Sequence, residues 1–344
     1  MGKQQEKLAT IKEVAALAGV SPATVSRAFD PKWDGKLTDA TKERVLAAAQ
    51  KLSYYPNAIA RSLHVRKTNI IAAVMGTQVG YFFEETFFEI VKKIQSTGRQ
   101  VLVFTADPEQ GLERIVEQVH QYRVDAILIM ASATSQTIAE GFGKTSIPVI
   151  LFDRMVQATG IPDMSYVCSD NRMGARIAAE FLIENGHRYI GYVSGDASGS
   201  QSLGRSFSFT SRVEELGGVL AARYEGDYTY QSGQAALERF AGLPRLDAVF
   251  CADDTMAMGV IDRARELGIR IPEDLSVMGF DHHSVGQLNS YHLTTIAHAK
   301  ENLYRAILTA LDQVVEHPEE IVSAVYPMEI VVGRSVKLKN RKQP

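Results

Sequence analysis

Short apolar runs alternate with amphipathic helical stretches from residue 68 almost to the carboxyl end, and this alternation restricts the fold more than any other feature. Runs such as Ile70–Met75, Ala126–Met130 and Ser276–Phe280 have the length and character of fully buried strands. Stretches such as Glu84–Ser96 and Gly174–Asn185 lie between such runs and are typical of amphipathic helices. Repeated units of this kind predict doubly wound parallel sheets. This part of the chain is large for one sheet, so we expect two α/β subdomains with a ligand cleft beyond the carboxyl ends of their strands.

The first 67 residues instead predict a separate group of short helices. Thr10 and Glu13 have the spacing of a capping box, which starts the first helix. The apolar face of that helix is expected to contain Val14, Leu17 and Ala18. A Gly-Val-Ser turn then leads into a second helix with serine at the N-cap and proline at the first helical position. Two helices joined by a tight glycine turn indicate a helix-turn-helix.

The charge of the chain is divided unevenly between these two parts. Residues 1–67 contain twelve Lys or Arg and six Asp or Glu, a net charge of +6, whereas the whole chain carries −3. A basic arm on an acidic body is typical of a protein that binds a polyanion through the arm alone. The two cysteines, Cys168 and Cys251, indicate neither a disulfide framework nor a zinc site.

The string TIKEVAALAGVSPATVSRA, from Thr10 to Ala28, resembles the DNA-binding headpiece of the lactose and galactose repressor (LacI/GalR) family. In such a motif the N-terminal part of the second helix enters the major groove. Arg27 can bond guanine bidentately, whereas Pro22 and Ala23 offer only apolar contact. Serine and threonine hydroxyls nearby are suited to phosphate contacts, which set register rather than sequence.

The segment LSYYPNAIARSL, which ends at Leu63, resembles the hinge helix of the same family. The resemblance implies that Leu63 enters the minor groove as a wedge that bends the duplex; the alternative is a leucine in the headpiece core. Trp33 lies in a loop about two residues longer than that of the lactose repressor, and either contacts the DNA backbone or, as we favour, is solvated. The candidate DNA-binding residues are Thr10, Ser21, Pro22, Ala23, Thr24, Ser26, Arg27, Thr38, Thr41, Tyr54, Asn57, Ala60 and Leu63.

The resemblance extends over essentially the whole chain. SLGRSFSF at residues 202–209 follows the family's Ser-x-x-Arg-x-x-Gly-Phe pattern, with Ser208 in place of the glycine. ADDTMAMG at residues 252–259 matches its Ala-Asn-Asp-x-Met-Ala-x-Gly pattern, with Asp253 in place of the asparagine. The effector-binding residues implied by the resemblance are Tyr81, Phe82, Asp153, Arg205, Tyr228, Asp253, Asp281 and His298.

These side chains favour a neutral polyhydroxylated ligand, most simply a mono- or disaccharide. Carboxylates accept hydrogen bonds from hydroxyl groups, and aromatic rings stack on the C–H face of a sugar. Arg205 with Arg154 keeps a sugar acid or sugar phosphate open as well. Structural roles also stay open, since Asp153 could form an ion pair with Arg154 and Asp281 with a neighbour, and Tyr81 and Phe82 could belong to the core. Asp253 lacks the donor of the asparagine that it replaces, so it requires a hydroxyl or a cation as partner.

The resulting hypothesis is a sequence-specific transcription regulator, most simply a repressor, that acts as a homodimer on a pseudo-palindromic operator in double-stranded DNA and responds to a carbohydrate effector. We expect it in the cytoplasm, with no membrane span, cofactor, metal or catalytic activity. A cytoplasmic sugar-binding module without operator function is the alternative. The predicted domains are a headpiece (1–56), a hinge helix and linker (57–67), an effector-binding and dimerisation domain (68–336) and a frayed polar tail (337–344). Within the third, an N-subdomain (about 68–166 and 298–326) precedes a C-subdomain (about 167–297 and 327–336).

Overall fold

The computed structural model divides the chain into two compact units, Met1–Thr68 and Asn69–Pro344. The residues that the structure describes are 9–30, 33–55, 67–76, 81–106, 112–130, 141–142, 145–153, 164–196, 200–243 and 245–339.

The first unit contains short helices, as the N-terminal sequence predicts: α1 (Ile11–Ala18), α2 (Pro22–Ala28) and α3 (Asp39–Lys51). Thr10 and Glu13 form the predicted capping box, and Gly19 ends α1 in the left-handed conformation, which glycine adopts at little cost. The core between the helices includes Val14, Ala18, Val25 and Val45. Leu17 was wrongly expected on the buried face, because α1 turns Val14, Ala15 and Ala18 inward and leaves Leu17 47% exposed.

The second unit alternates strands and helices throughout. Its strands are β1 (Ile70–Gly76), β2 (Gln100–Ala106), β3 (Ala126–Met130), β4 (Val149–Phe152), β5 (Ser165–Ser169), β6 (Tyr189–Ser194), β7 (Val219–Glu225), β8 (Ala248–Cys251), β9 (Ser276–Asp281), β10 (Thr294–His298), β11 (Ser323–Tyr326) and β12 (Met328–Val331). Its helices are α4 (Tyr81–Ser96), α5 (Leu112–Gln121), α6 (Asn171–Glu184), α7 (Ser200–Glu215), α8 (Tyr230–Phe240), α9 (Asp254–Glu266) and α10 (Lys300–Glu316).

Within the described residues the strands form two six-stranded sheets, which confirms the predicted pair of α/β subdomains. The first sheet, in the order β2-β1-β3-β4-β5-β11, is parallel throughout, and neighbouring residues of β1 alternate between the cores on its two faces. The second sheet, in the order β7-β6-β8-β9-β10-β12, is parallel except for β12. We call these two halves the first and second subdomains.

The antiparallel β12 departs from the expected parallel sheet for a topological reason. Only Pro327 separates β11 from β12, so the chain passes directly from the end of one sheet into the other. A parallel neighbour for β10 would require a long return connection. Because β12 starts at the boundary where β10 ends, it must run in the opposite direction.

The chain passes between the subdomains at three places, after β5, after β10 and after β11. These crossings are bonded together: the Ser169 hydroxyl and His298 Nδ1 are 2.6 Å apart, and the Asp170 amide donates to the Tyr326 carbonyl at 2.8 Å. The first crossing follows Ser169 rather than residue 166 as predicted, since β5 pairs with β4 through Val167 and with β11 through Ser169.

The start of the C-terminal tail is ordered against the second subdomain, contrary to the frayed tail expected from its polarity. The Lys337 amide donates to the Ser276 hydroxyl at 3.0 Å, and the Lys339 amide donates to Asn185 Oδ1 at 3.2 Å. Hydrogen bonds from backbone amides to distant side chains, which composition does not reveal, fix these residues. No helix in the described ranges is long and apolar enough to cross a bilayer.

Candidate functional site

The short helix α2 presents the predicted base-contacting residues on an accessible surface, from Pro22 in its first turn to Arg27 in its last. Ser21 caps the helix by accepting from the Thr24 amide at 3.1 Å, and its hydroxyl lies 2.9 Å from that of Thr24. Pro22, Ala23, Ser26 and Arg27 are exposed and Thr24 is half-buried. An apolar pair in the first turn of α2 and the Arg27 guanidinium in its last turn are therefore available at the surface.

The hydroxyls predicted to meet phosphate lie at the N-termini of the other two helices. Thr10 is bonded within the capping box, where its hydroxyl donates to the Glu13 carboxylate at 2.9 Å. Thr38 precedes α3, and its hydroxyl is 2.8 Å from that of Thr41. The half-buried Tyr54 packs edge-on against Phe29, with ring centroids 6.2 Å apart. The remaining candidates Asn57, Ala60 and Leu63 lie outside the described residues.

The side chain of Trp33 is not fully solvated, contrary to the interpretation that we favour from the sequence. Its half-buried ring lies under the Arg27 guanidinium, with 4.3 Å from the guanidinium carbon to the ring centroid. The Lys36 ammonium is 5.4 Å from the same ring. This contact was not predictable, because the length of a loop does not dictate where its tryptophan packs.

The predicted effector residues of the second unit gather where strands of both sheets end. Asp153 follows β4, Asp253 follows β8, and Asp281 and His298 are the last residues of β9 and β10. Asp153, Tyr228 and Asp281 have φ angles of +53°, +64° and +95°, in a region that costs a non-glycine residue conformational energy. Such strain recurs where a fold fixes functional side chains. We call this group of residues the inter-sheet site.

His298 connects the inter-sheet site to the crossings. Its Nδ1 meets the Ser169 hydroxyl, and its Nε2 lies 3.1 Å from Asp281 Oδ1. The imidazole stacks on Phe82 with ring centroids 3.9 Å apart and an interplanar angle of 17°. Phe82 also belongs to the core of the first subdomain, as the structural alternative for it required. Tyr81 begins α4, but its side chain lies outside the described part of the structure.

Arg205 is the buried cation of the inter-sheet site, and its guanidinium is held largely by the protein itself. Its Nη atoms donate to the Ala252 carbonyl and to Asn171 Oδ1, and the guanidinium lies 3.6 Å over the Phe280 ring. Nη2 is also 3.8 Å from Asp281 Oδ1. Nε has no hydrogen-bond partner among the described residues. Arg205 therefore has a fixed orientation and little freedom to move towards a ligand.

Asp253 acts as the N-cap of α9, with Oδ1 accepting from the Met256 amide at 2.8 Å. Its carboxyl group is buried, and this burial together with the negative charge of Asp281 raises its pKa to about 7. The partner of this carboxylate is thus a backbone amide as well as any ligand group. At neutral pH a substantial share of Asp253 is protonated, and the protonated form restores a donor where the family pattern has asparagine.

The other two acids of the site differ in electrostatic environment. Burial raises the pKa of Asp153, although the Ser169 amide donates to its Oδ1 at 3.1 Å. Burial also acts to raise the pKa of Asp281, but its hydrogen bond with His298 and the charge of Arg205 outweigh that effect and lower it. Asp281 is therefore the acid of the three with the strongest tendency to be ionised. It also forms an ion pair with Arg205, which is the structural role that the sequence left open for it. Arg154, the alternative partner of Asp153, lies outside the described residues.

Tyr228 lies against the backbone of the loop after β6. A Cβ atom at Gly195 would stand 2.2 Å from the Tyr228 hydroxyl oxygen, so only glycine permits this approach. Burial raises the pKa of the Tyr228 phenol. The residue is half-buried, and its phenol interacts electrostatically with Arg205, Asp253 and Asp281 of the inter-sheet site.

Two groups of interacting residues went unpredicted. Asp254 is fully buried and accepts from the Thr295 hydroxyl at 2.6 Å and the His283 amide at 3.1 Å. The feature of the sequence that could have identified Asp254 is its position next to Asp253 in the ADDTMAMG motif. Ser169 and Asn171 also contact site residues, but their signal was only that they flank a strand end.

Direct contacts join the two subdomains beside the inter-sheet site. Glu85 of α4 accepts from the Ser284 hydroxyl and, at 3.3 Å, from the Ser284 amide. Lys300 lies 3.5 Å from Glu85 and donates to the His282 carbonyl at 3.4 Å. Gln201 of α7 donates to the Asp153 carbonyl at 2.9 Å. These bonds hold the carboxyl ends of the two sheets together.

Comparisons with known proteins match both units. A family model described as bacterial regulatory proteins, lacI family, matches residues 10–57, and one described as a periplasmic binding protein-like domain matches residues 179–336. HTH-type transcriptional repressors PurR from Mannheimia succiniciproducens and Yersinia enterocolitica are 30% and 33% identical over 341 and 336 residues. Each alignment covers 96% of this chain, with 99% and 97% of the respective relative.

Solved structures agree with this fold. A transcriptional regulator CelR-cellobiose complex is 27% identical with a TM-score of 0.70, and the match covers 95% of this chain and 99% of that one. A Lac repressor dimer bound to operator and the anti-inducer ONPF has a TM-score of 0.81 at 22% identity, over 96% and 99% of the two chains. The latter likeness concerns the fold alone.

Proposed function

The chain belongs to the lacI family of bacterial regulatory proteins. From this premise we propose that it represses transcription as a homodimer, and that a carbohydrate bound at the inter-sheet site controls its affinity for operator DNA. The observation that carries the effector half is the junction of His298. One side chain contacts a crossing through Ser169 and the predicted ligand acid Asp281. A ligand that bonds Asp281 therefore acts directly on the connection between the subdomains.

The DNA half of the proposal rests on the surface of α2. Arg27 reads guanine in the major groove, Pro22 and Ala23 contribute apolar contact, and the hydroxyls of the cap residues meet phosphates. Two headpieces reading two half-sites require a pseudo-palindromic operator. Leu63 as a minor-groove wedge, together with Asn57 and Ala60 of the hinge, stays part of this proposal.

A neutral polyhydroxylated ligand suits the charges at the inter-sheet site better than an anion. Three acids, Asp153, Asp253 and Asp281, face one buried cation, Arg205, whose Nη donors already bond protein groups. An added carboxylate or phosphate would compete with Asp281 for the Arg205 guanidinium, and its charge would oppose that of the ionised Asp281. Hydroxyl groups can donate to these acids without that penalty. A structure similar to this chain is a cellobiose complex, which also supports a carbohydrate.

A thermal-shift screen of sugars, sugar acids, sugar phosphates and nucleobases tests the effector class. A ligand that binds only the folded protein stabilises it by RT ln(1 + L/Kd), where L is the free ligand concentration, and so raises the unfolding temperature. We expect a neutral sugar to give the shift, and Arg205→Ala and Asp281→Ala to abolish it. Asp227→Ala is the matched control, because Asp227 lies in the exposed part of the loop that carries Tyr228. A shift that both site variants retain contradicts the assignment of the site.

Gel shifts separate the repressor from a sugar-binding module without operator function. A duplex is first selected from a randomised pseudo-palindromic library by the full-length protein. We expect retention of that duplex over a scrambled one, and a change in its apparent Kd on addition of the sugar found by thermal shift. Failure to prefer any duplex, with or without ligand, rejects the operator function and leaves the binding module.

A further inference from the structure

We propose that Trp33 is a positioning residue for Arg27: its indole holds the guanidinium in one plane and so sharpens the discrimination between base pairs that Arg27 performs. This inference rests on the proposed role of Arg27 as a base reader and extends it to a loop that the helix-turn-helix pattern leaves without a function.

The backbone between the two residues is folded to bring the ring back to α2. The Asp30 amide donates to the Arg27 carbonyl at 3.1 Å, and the Trp33 amide donates to the Asp30 carbonyl at 2.9 Å. The Lys36 amide then donates to the Trp33 carbonyl at 3.0 Å. These bonds hold the backbone at Trp33 close to the end of α2, which allows its ring to reach the Arg27 guanidinium.

The loop is also tied to the next helix. Asp34, next to Trp33, forms an ion pair with Lys42 of α3 at 2.5 Å. Because Lys42 lies in the first turn of α3, the loop is bonded at both ends to helices of the headpiece. A ring held in this way can restrict the side chain that stacks on it.

Stacking constrains Arg27 without using the groups that would read DNA. The guanidinium is planar and all its N–H donors point outward in that plane. Trp33 meets one face, at 4.3 Å, so the donor edge of the exposed Arg27 stays available to guanine N7 and O6. An unrestrained arginine would lose rotamer entropy on binding, and part of that loss is already incurred when the ring fixes the plane.

Base discrimination is the property that this arrangement should change. A guanidinium fixed in one plane can satisfy two acceptors of guanine but cannot swing to an alternative acceptor when the base pair is changed. A freely rotating guanidinium can do so, and it would find a phosphate or a different base edge. Loss of the ring should therefore weaken the preferred duplex more than its single-base variants.

The test uses the full-length protein and a duplex selected from a randomised pseudo-palindromic library. Arg27→Ala first identifies the base pair at which discrimination depends on Arg27. Kd values for the four base pairs at that position are then measured for wild type, Trp33→Phe and Trp33→Leu. We expect the ratio of Kd values between the worst and best base pair to fall about tenfold in Trp33→Leu, with Trp33→Phe between it and wild type, since phenylalanine has a weaker cation–π face than tryptophan. The dependence of Kd on salt should keep its slope, because that slope counts phosphate contacts.

Fluorescence provides a second readout that a purely structural role would not produce. Trp33 is the single tryptophan of the chain, so all tryptophan emission comes from the ring that stacks on Arg27. Arg27→Ala should change the emission of the free protein, and the selected duplex should perturb it more than a scrambled duplex does.

The outcomes distinguish the base-reading role of Arg27 from the positioning role of Trp33. If Arg27→Ala leaves discrimination unchanged at every position, the base-reading role of Arg27 fails, and the inference fails with it. If Arg27→Ala abolishes discrimination while Trp33→Leu lowers affinity for all four duplexes equally, Trp33 supports only the loop and the inference is overturned. Should Trp33→Leu fail to fold, as judged by circular dichroism, the ratio measured for Trp33→Phe decides: an unchanged ratio overturns the inference.

Discussion

Replacing Asp253 by asparagine should make the second unit more stable at alkaline pH. Burial of the carboxyl group beside Asp281 raises the pKa of Asp253 to about 7, against an ordinary value of 3.8. A difference of one unit between the pKa values of the folded and unfolded states corresponds to ~1.4 kcal/mol. Ionising this carboxyl group in the folded state therefore costs on the order of 4 kcal/mol. Asparagine keeps the oxygen that accepts from the Met256 amide, and it adds a donor without a charge.

The pH dependence follows from the direction of the pKa difference. Below about pH 4 the carboxyl group is neutral in both the folded and the unfolded chain, so its ionisation makes no contribution to the free energy of unfolding. Between about pH 4 and 7 the unfolded chain ionises while the folded chain keeps the proton, so the free energy of unfolding falls as the pH rises. Above pH 7 both states are ionised and the full cost is present. The advantage of Asp253→Asn should therefore grow from pH 4 to pH 7 and then level off.

Urea unfolding followed by far-ultraviolet circular dichroism measures this advantage between pH 5 and 8.5. Circular dichroism is required because the single tryptophan lies in the headpiece and does not report on the second unit. Asp170→Asn is the matched control, since Asp170 caps α6 by accepting from the Met173 amide at 2.9 Å but is only half-buried. Equal advantages of Asp253→Asn at pH 5 and pH 8, or a loss of stability at pH 8, would refute the reasoning.

Two further predictions concern packing and the contacts between subdomains. Gly233→Ala should destabilise the second unit by at least ~2 kcal/mol in urea unfolding, because its Cβ would stand 2.0 Å from the Met256 carbonyl oxygen, whereas Gly242→Ala, with open space around it, should be tolerated; equal effects of the two would contradict this explanation. Ser284→Ala should weaken effector binding several-fold in calorimetry, since it removes the hydroxyl that donates a hydrogen bond to Glu85 across the subdomains and so favours their separation. An unchanged Kd would show that this contact does not influence closure.

The sheets were predictable because their strands are continuous apolar runs. Every residue of β3 is buried, so no polar position interrupted the pattern that identified it. Strands such as β7 and β11, with exposed residues along them, carried a weaker signal and did not stand out. The direction of β12 was not predictable from periodicity, since it depends on where the preceding strand ends.

The inter-sheet site was predictable as a set of residues but not as a set of bonds. Asp153, Asp281 and His298 each follow or end a strand, and the carboxyl ends of parallel strands share an edge. The bond between Ser169 and His298 spans 129 positions, and the contact between Glu85 and Ser284 spans 199. Pairings at such separations are set by the way the subdomains dock, which no local pattern encodes.

The three crossings have a mechanical consequence. If the subdomains rotate relative to each other, the axis must pass near Ser169, His298 and Pro327, because a chain crossing there permits little translation. Displacement in a rotation grows with distance from the axis, so atoms at the inter-sheet site move least and the far ends of the sheets move most. β1 begins at Ile70 and rises about 3.3 Å per residue towards its carboxyl end at Gly76, which places its first residue at the far end of such a lever arm. The segment that leads to the headpiece joins the second unit at that far end, where a small angular change has its largest linear effect.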